Sequence, residues 1–548
     1  MEKHDKKYIF VTGGVCSGLG KGITVASLGR LLKARGYKVT IQKFDPYINM
    51  HPGLLSPYQH GEVYVTEDGA EADLDLGHYE RFIDENLGVN NSVSAGKIYW
   101  EVLNKDRKGA YKGATVQVIP HITDVIKERI CLAGIDAQSE IIISEIGGTV
   151  GDIESLPFVE AIRQISQDKG YQNVMYIHLT LVPYLSFADE MKTKPSQNSV
   201  KDLLSYGIKP DVIVCRTERP MTTEMREKLA MFCNVNKDCV IENLSVSSLY
   251  SVPLLLEEEN FADVVCKRLG LPNPTPDLAE WKSIVNHEKQ ITNEIAIGLV
   301  GKYTELRDAY LSVVEALKHA GISLDTNINL KWINARELND STVATHLSGI
   351  SGIIMPGGYG NNGVNGLISA ARYAREQKIP FLGIGLGMQY AMLEFAHNVM
   401  GLAAAASAEE NPEVTTPIFE YIDRTADRAA GEKPAMRLGA HHCKLTPGSL
   451  LQAAYGEDQI YERFRHLCKF NVLYRTEFAR HGMLESAMSH DEKHLEAIEL
   501  PTNMHPWFVG VQFRPEFKSR ITKPSPLFKA FITACITGAQ PQLKLTDV

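Results

Sequence analysis

The sequence predicts an α/β protein made of two doubly wound, mostly parallel sheets in tandem. Short apolar runs alternate with helical patterns through residues 1–270. A proline-rich break follows, and a second strand–helix series opens near Ile295.

Tyr8–Thr12 is a short apolar run ending in glycines, which reads as a buried strand, and a helical pattern follows it through Arg35. Lys38–Gln42, Glu140–Glu145, Val174–His178 and Asp211–Cys215 read as the next four strands. Strands separated by helices imply a parallel sheet with ligands at its carboxyl edge. Leu271–Asp277 holds three prolines in seven residues and reads as extended chain, so 271–293 is expected to be a linker. Ile295–Val300, Gly352–Met355 and Phe381–Ile384 are the strands of a second domain over 294–536, leaving a tail at 537–548.

Composition narrows the class. The chain has 548 residues, 57 basic and 66 acidic, for a net charge of -9. That balance argues against a nucleic-acid binder, although a local pocket can still take an anionic small molecule. The nine cysteines form no CxxC pair, as expected of free thiols in a reducing cytosol. The first residues hold no apolar signal region, and no apolar run approaches the ~20 residues of a membrane span. A cytoplasmic enzyme without a membrane partner is the expectation.

Thr12–Gly22, TGGVCSGLGKG, lies between the first strand and the first helix. Glycines let backbone amides turn toward a phosphate, the helix terminus adds partial positive charge, and Lys21 adds a full one. The run departs from the strict P-loop pattern, with Val15 at the first glycine position and Gly22 after the lysine. Phosphoryl transfer also needs carboxylates for a metal. Glu145, which ends a buried strand at the ligand edge, stands out among the acidic residues for that role.

Longer strings carry a resemblance. Tyr8–Gly22, Asp45–Asn49, Ser56–Glu62, Asp73–Arg81, Gly113–His121, Glu145–Ser155 and Lys192–Gln197 resemble the CTP synthase family, and the similarity covers nearly the whole chain. The resemblance implies a P-loop-like synthetase domain and a class I glutamine amidotransferase-like domain. It also implies ATP-driven phosphorylation of the C4 oxygen of UTP, followed by displacement by ammonia. On that basis Ser17, Gly18, Leu19, Gly20, Lys21 and Gly22 would cradle ATP, with Arg216 near the adenine. Asp75 and Glu145 would hold Mg2+, and Lys43 would lie near the transferred phosphoryl group. Ser17, Asp152, Glu154, Lys192, Lys194, Gln197 and Lys228 would surround UTP. A homotetramer is implied as well. The departures are His51–Ser56 in place of the family's Asp-Pro-Gly-Thr-Met-Ser, Gly18 for serine, and Asn198 for histidine.

The second domain departs further. An amidotransferase needs a cysteine nucleophile, a histidine base and a glutamate that orients the base. Here Gly385 stands at the cysteine position and Arg514 at the histidine position, while Glu516 is kept. Leu467 takes the place of an arginine that meets the glutamine carboxylate. Glycine has no nucleophile, and arginine stays protonated in proteins. Two readings follow. One is a ligase that aminates UTP, or a UTP-like nucleotide, with ammonia or another amine, in which Arg514 could counter a ligand carboxylate. The other is a nucleotide-binding pseudoenzyme that regulates or co-assembles with an active CTP synthase.

Overall fold

The computed structural model describes residues 6–16, 18–415, 417–422 and 436–539. They fall into two compact units, the first of 1–55 and 72–285, the second of 56–71 and 286–548.

The first unit is built on seven strands: β1 (Lys7–Gly13), β2 (Val39–Asp45), β3 (Ser92–Ser94), β4 (Ile141–Ile146), β5 (Val174–Leu181), β6 (Val212–Thr217) and β7 (Val240–Leu244). They are ordered β7-β6-β5-β1-β4-β2-β3, and every pairing is parallel. Non-consecutive neighbours require crossovers, which the helices supply. The helices that matter to the site are α1 (Lys21–Ala34), α2 (Asp75–Ile83), α3 (Lys194–Ser205) and α4 (Thr223–Cys233).

Register sets the site. Lys43 on β2 lies beside Glu145 on β4, which lies beside Val11 on β1, while Thr12 pairs with His178 on β5. The carboxyl ends of four strands therefore bring their polar residues to one edge. β2 continues three residues beyond the expected Gln42, because Lys43 and Asp45 are buried against each other's charge.

The prolines of 271–277 do not end this unit, which runs on to Val285. A further helix, α5 (Ala279–Glu288), plants Trp281 against Phe82 and Tyr250, with its Nε1 donating to the Tyr250 carbonyl at 2.7 Å. A buried indole needs both an apolar bed and an acceptor, and this one has both.

The second unit holds β8 (Glu294–Gly301), β9 (Asn327–Asn334), β10 (Gly352–Met355), β11 (Phe381–Ile384), β12 (Arg437–Leu445), β13 (Gln459–His466), β14 (Leu484–Ser489), β15 (Leu495–Leu500) and β16 (Phe508–Val511). Their order is β9-β8-β10-β11-β16-β15-β14-β12-β13. The sheet is parallel from β9 to β16 and antiparallel beyond. Helices α6 (Leu311–Ser323) and α9 (Pro526–Ala539) share one apolar core, and α7 (Val364–Glu376) with α8 (Leu386–Asn398) share the other. The sheet is thus covered on both faces, as a doubly wound fold requires.

The expected boundary at residue 270 misses one feature. Residues 56–71 belong to the second unit. Arg463 explains why: it is fully buried, and its guanidinium donates to the Tyr64 hydroxyl and the Val65 carbonyl, each at 3.0 Å. Tyr64 in turn donates to the Phe517 carbonyl at 2.8 Å, and Arg465 makes a two-pronged pair with Glu71. A buried guanidinium without acceptors would be strongly destabilising, and this segment provides them.

Candidate active site and the turn at Gly385

In the first unit the glycine run leaves β1 and enters α1 with Gly20 at φ 86°, a left-handed cap that glycine adopts without strain. Ser17 lies outside the described residues; Gly18, Leu19, Gly20, Lys21 and Gly22 are placed around the start of α1. The Lys21 ammonium donates to the Gly148 carbonyl. A Cβ at Gly22 would come within 2.2 Å of Asp75 Oδ1, so the residue after the lysine is glycine to seat that carboxylate.

Lys43 is the hub of a buried charge cluster. Its ammonium lies 2.8 Å from Asp73, contacts Asp75, and lies 3.7 Å from Asp45. Burial works against its charge, but Asp73, Asp75, Asp45 and Glu145 outweigh burial and hold the amine well above the usual lysine range. Lys21 goes the other way: burial lowers it, with Glu145 and Asp75 opposing and Lys43 adding to the effect. Glu145 accepts from the Tyr79 hydroxyl at 2.6 Å, and burial together with Asp75 pushes it up to about 7.

The half-buried Asp75 and the buried Glu145 repel one another, and a divalent cation would relieve that repulsion. Magnesium is commonly held by one or two carboxylates, with phosphates and water completing its shell. The pair fits that pattern. Among the described residues no group of three or more metal-ligating side chains exists.

Lys192, Lys194, Gln197 and Lys228 line one cavity of about 540 Å³, between the start of α3 and α4. Tyr184 and Arg219 line it too, stacked at 3.8 Å. Asp152 and Glu154 lie instead on the exposed turn after β4, where Asp152 accepts from the Thr149 amide at 2.9 Å. Arg216, one residue before the end of β6, lies beside Asn243, which reaches Thr24 of α1.

In the second unit the strand-to-helix turn survives. Gly385 sits at φ 55° and ψ -110°, and its amide donates to the Val511 carbonyl at 2.7 Å. A Cβ there would meet nothing closer than 3.8 Å, so there is space for a side chain. Arg514, 7% exposed, donates through Nε to Glu516, and its Nη2 lies 3.9 Å from Glu62 Oε1. Burial opposes its charge, but Glu516 and Glu62 hold its pKa above the usual value. The other Glu62 oxygen accepts from Ser312 at the start of α6. Arg514 therefore spends its charge on two protein carboxylates, which leaves little to counter the carboxylate of a ligand. Leu467 packs against the apolar core.

Sequence reasoning assigned no role to Asp45 and Asp73, although both stood in the quoted strings, because carboxylates that neutralise a lysine look like any other acids. It also missed Glu62, whose partner lies some 450 residues away in sequence.

Two family models match the chain: CTP synthase N-terminus over residues 7–271 and glutamine amidotransferase class-I over 305–534. A CTP synthase of Ruminiclostridium cellulolyticum is 57% identical over 96% of this chain and 98% of its own length. One of Halalkalibacterium halodurans is 56% identical over 97% and 99%. A solved glutaminase domain of Trypanosoma brucei CTPS with bound acivicin is 33% identical, covers 44% of this chain and 94% of that chain, and superposes with a TM-score of 0.41.

Proposed function

The chain belongs to the CTP synthase family, and we propose that it aminates UTP at C4 with ATP and free ammonia, without hydrolysing glutamine. The observation that carries this reading is Arg514, locked between Glu516 and Glu62 at the base position and facing a glycine at the nucleophile position. On the synthetase side Lys43 lies against Asp73, Asp75 and Asp45, and Lys192, Lys194 and Lys228 line one cavity.

The chemistry follows from these groups. Lys192, Lys194 and Lys228 supply positive charge for the UTP triphosphate, and Gln197 supplies an amide beside them. Lys21 and the loop amides meet the ATP phosphates. Asp75 and Glu145 would hold magnesium, which when bound offsets charge on the phosphate oxygens. Lys43, kept protonated by its three aspartates, is a fixed cation for the charge that develops during transfer. The γ-phosphoryl group passes to the C4 oxygen of UTP, N3 gives up its proton, and ADP leaves. Ammonia then adds at C4, loses a proton, and expels inorganic phosphate to give CTP.

The second domain cannot generate the ammonia. Gly385 has no thiol, and a guanidinium paired to two carboxylates takes no proton. The same pairing favours ammonia over an amino-acid donor, whose carboxylate would find Arg514 already occupied. Trp100 and Leu103, 55% and 59% exposed and three residues apart on one helix, suit the homotetramer that family membership suggests.

The test uses the purified protein with ATP, Mg2+ and UTP, and offers ammonium or glutamine separately. CTP with ammonium alone is the expected result. Equal turnover with glutamine would refute the loss of glutaminase, and no ATP turnover under either condition would favour a pseudoenzyme.

A further inference from the structure

The helix that carries one carboxylate of the Asp75–Glu145 pair also holds the other. Asp75 opens α2, and Tyr79 follows one turn later on the same helix. Tyr79 is fully buried, and its hydroxyl donates to Glu145 Oε2 at 2.6 Å. Glu145 comes from a different element, β4, where it stands one residue before the strand's end. One helix thus presents a carboxylate of its own and grips a second one from the sheet.

α2 is itself held near both ends. Gly22 and Gly29 lie two turns apart on α1. A Cβ at Gly22 would meet Asp75, and one at Gly29 would come within 2.8 Å of Ile83 Cγ2. The two glycines therefore let α1 close onto the first and the last turn of α2. Phe82 packs against Tyr250 and Trp281, with ring centroids 5.4 and 5.5 Å away. A helix fixed at these points sets the place of the Tyr79 hydroxyl, and the Glu145 carboxylate conforms to it.

Packing alone does not call for that hydroxyl. Phenylalanine would fill the same space without burying a polar group, a cost recovered only when the group is bonded. The bond matters for Glu145. The last torsion of a glutamate is broad and roughly two-fold, so an untethered carboxylate would offer either oxygen over a range of directions. With Oε2 tied to the phenol, Oε1 is the oxygen left for a cation, and the plane of the group is set before a cation arrives. Partners that hydrogen-bond a ligating carboxylate in this way raise metal affinity by ordering the ligand in advance.

We propose that Tyr79 is a positioning residue for the metal, fixing the Glu145 carboxylate so that Glu145 and Asp75 bind Mg2+ together. The inference rests on the function proposed above, which assigns the carboxylate pair to magnesium. Tyr79 acts through Glu145, and its contribution belongs to metal binding and not to the transfer step.

The test measures Mn2+ binding to the full-length protein by electron paramagnetic resonance, with a β,γ-imido ATP analogue present. Mn2+ stands in for Mg2+, and its signal separates free from bound ion. Tyr79→Phe removes the hydroxyl and keeps the ring, and is expected to weaken Mn2+ binding about 10-fold or more. The Mg2+ concentration for half-maximal ADP formation is expected to rise by a similar factor, while the rate at saturating Mg2+ stays within about 3-fold of the unaltered protein. In a Glu145→Gln background the same change is expected to alter Mn2+ affinity by less than about 2-fold, because the carboxylate it positions is gone. Tyr79→Met also lacks the hydroxyl, and its flexible apolar chain carries the same test should the ring variant not fold. A tyrosine with a purely structural role would lower the urea midpoint and leave metal affinity alone. Mn2+ affinity within about 3-fold of the unaltered protein in either folded variant would therefore overturn the proposal. Failure of the unaltered protein to bind Mn2+ even with the analogue is a different result, because it removes Asp75 and Glu145 as a metal pair and overturns that part of the proposed function together with this inference.

Discussion

Arg514 donates to Glu516 across a single turn, with Glu62 close to the far side of the guanidinium. In a working amidotransferase the glutamate orients a histidine; here it neutralises a cation. The turn at Gly385 has φ 55° and ψ -110°, with empty side-chain space around it. On the proposed reading, glutaminase chemistry was lost through side chains and not through the backbone. The triple variant Gly385→Cys, Arg514→His, Leu467→Arg is expected to release glutamate from glutamine, and Gly385→Cys alone to release none. Glutamate release is the measurement. A folded triple variant with no hydrolysis would mean that the scaffold itself has changed beyond these three positions.

Lys21, proposed above as the cation that meets the ATP phosphates, donates to the Gly148 carbonyl. Removing a group that stabilises developing charge in a buried site costs about 100- to 1,000-fold in rate. Lys21→Ala is expected to lower ADP formation by at least that smaller factor while leaving the fold intact. A loss under about 3-fold would place the phosphates elsewhere.

Much of this site was legible because parallel sheets advertise themselves. Apolar runs marked the central strands, and the glycines marked the turn from β1 into α1. What stayed hidden was hidden for physical reasons. The last residues of β2 read as polar, since a lysine and an aspartate that bury one another carry no apolar signal. Residues 56–71 looked like part of the first domain because the demand of buried Arg463 for acceptors is a long-range fact, invisible to any local pattern. The antiparallel strands β12 to β15 escaped because strand, turn and loop residues are mixed there without the strand–helix alternation that betrays a crossover. The contacts of His178 with Thr12 and Ser199 could not be read at all, as the three residues come from separate elements.

Lys194 and Lys228 reach one cavity from two helices, so on the proposed function each would supply charge to UTP independently. A hydrogen bond to a charged group contributes about 1.5–3 kcal/mol, or roughly 10- to 100-fold in affinity. Lys194→Ala and Lys228→Ala are each expected to raise the KM for UTP about 10-fold or more, and to change the KM for ATP by less than about 3-fold. Equal effects on both nucleotides would show that the cavity is shared by the two substrates.

His178, fully buried between Thr12 and Ser199, leaves a mark on stability. Burial, with a smaller contribution from Lys21, lowers its pKa to about 3, against 6.5 for an exposed histidine. The folded state therefore keeps the ring neutral while the unfolded chain takes up a proton below pH 6.5. The stabilisation is fully present above that pH and is lost as pH falls toward 3, at about 1.4 kcal/mol per pH unit. His178→Asn cannot titrate, so its denaturation midpoint should fall less steeply between pH 6 and pH 4 than that of the unaltered protein. Urea unfolding followed by the fluorescence of buried Trp281, which lies in the same unit as His178, reports the relevant transition. Equal slopes for the two proteins would mean that the imidazole is charged in the folded state, and a charged ring could not accept a hydrogen bond from Thr12 or Ser199.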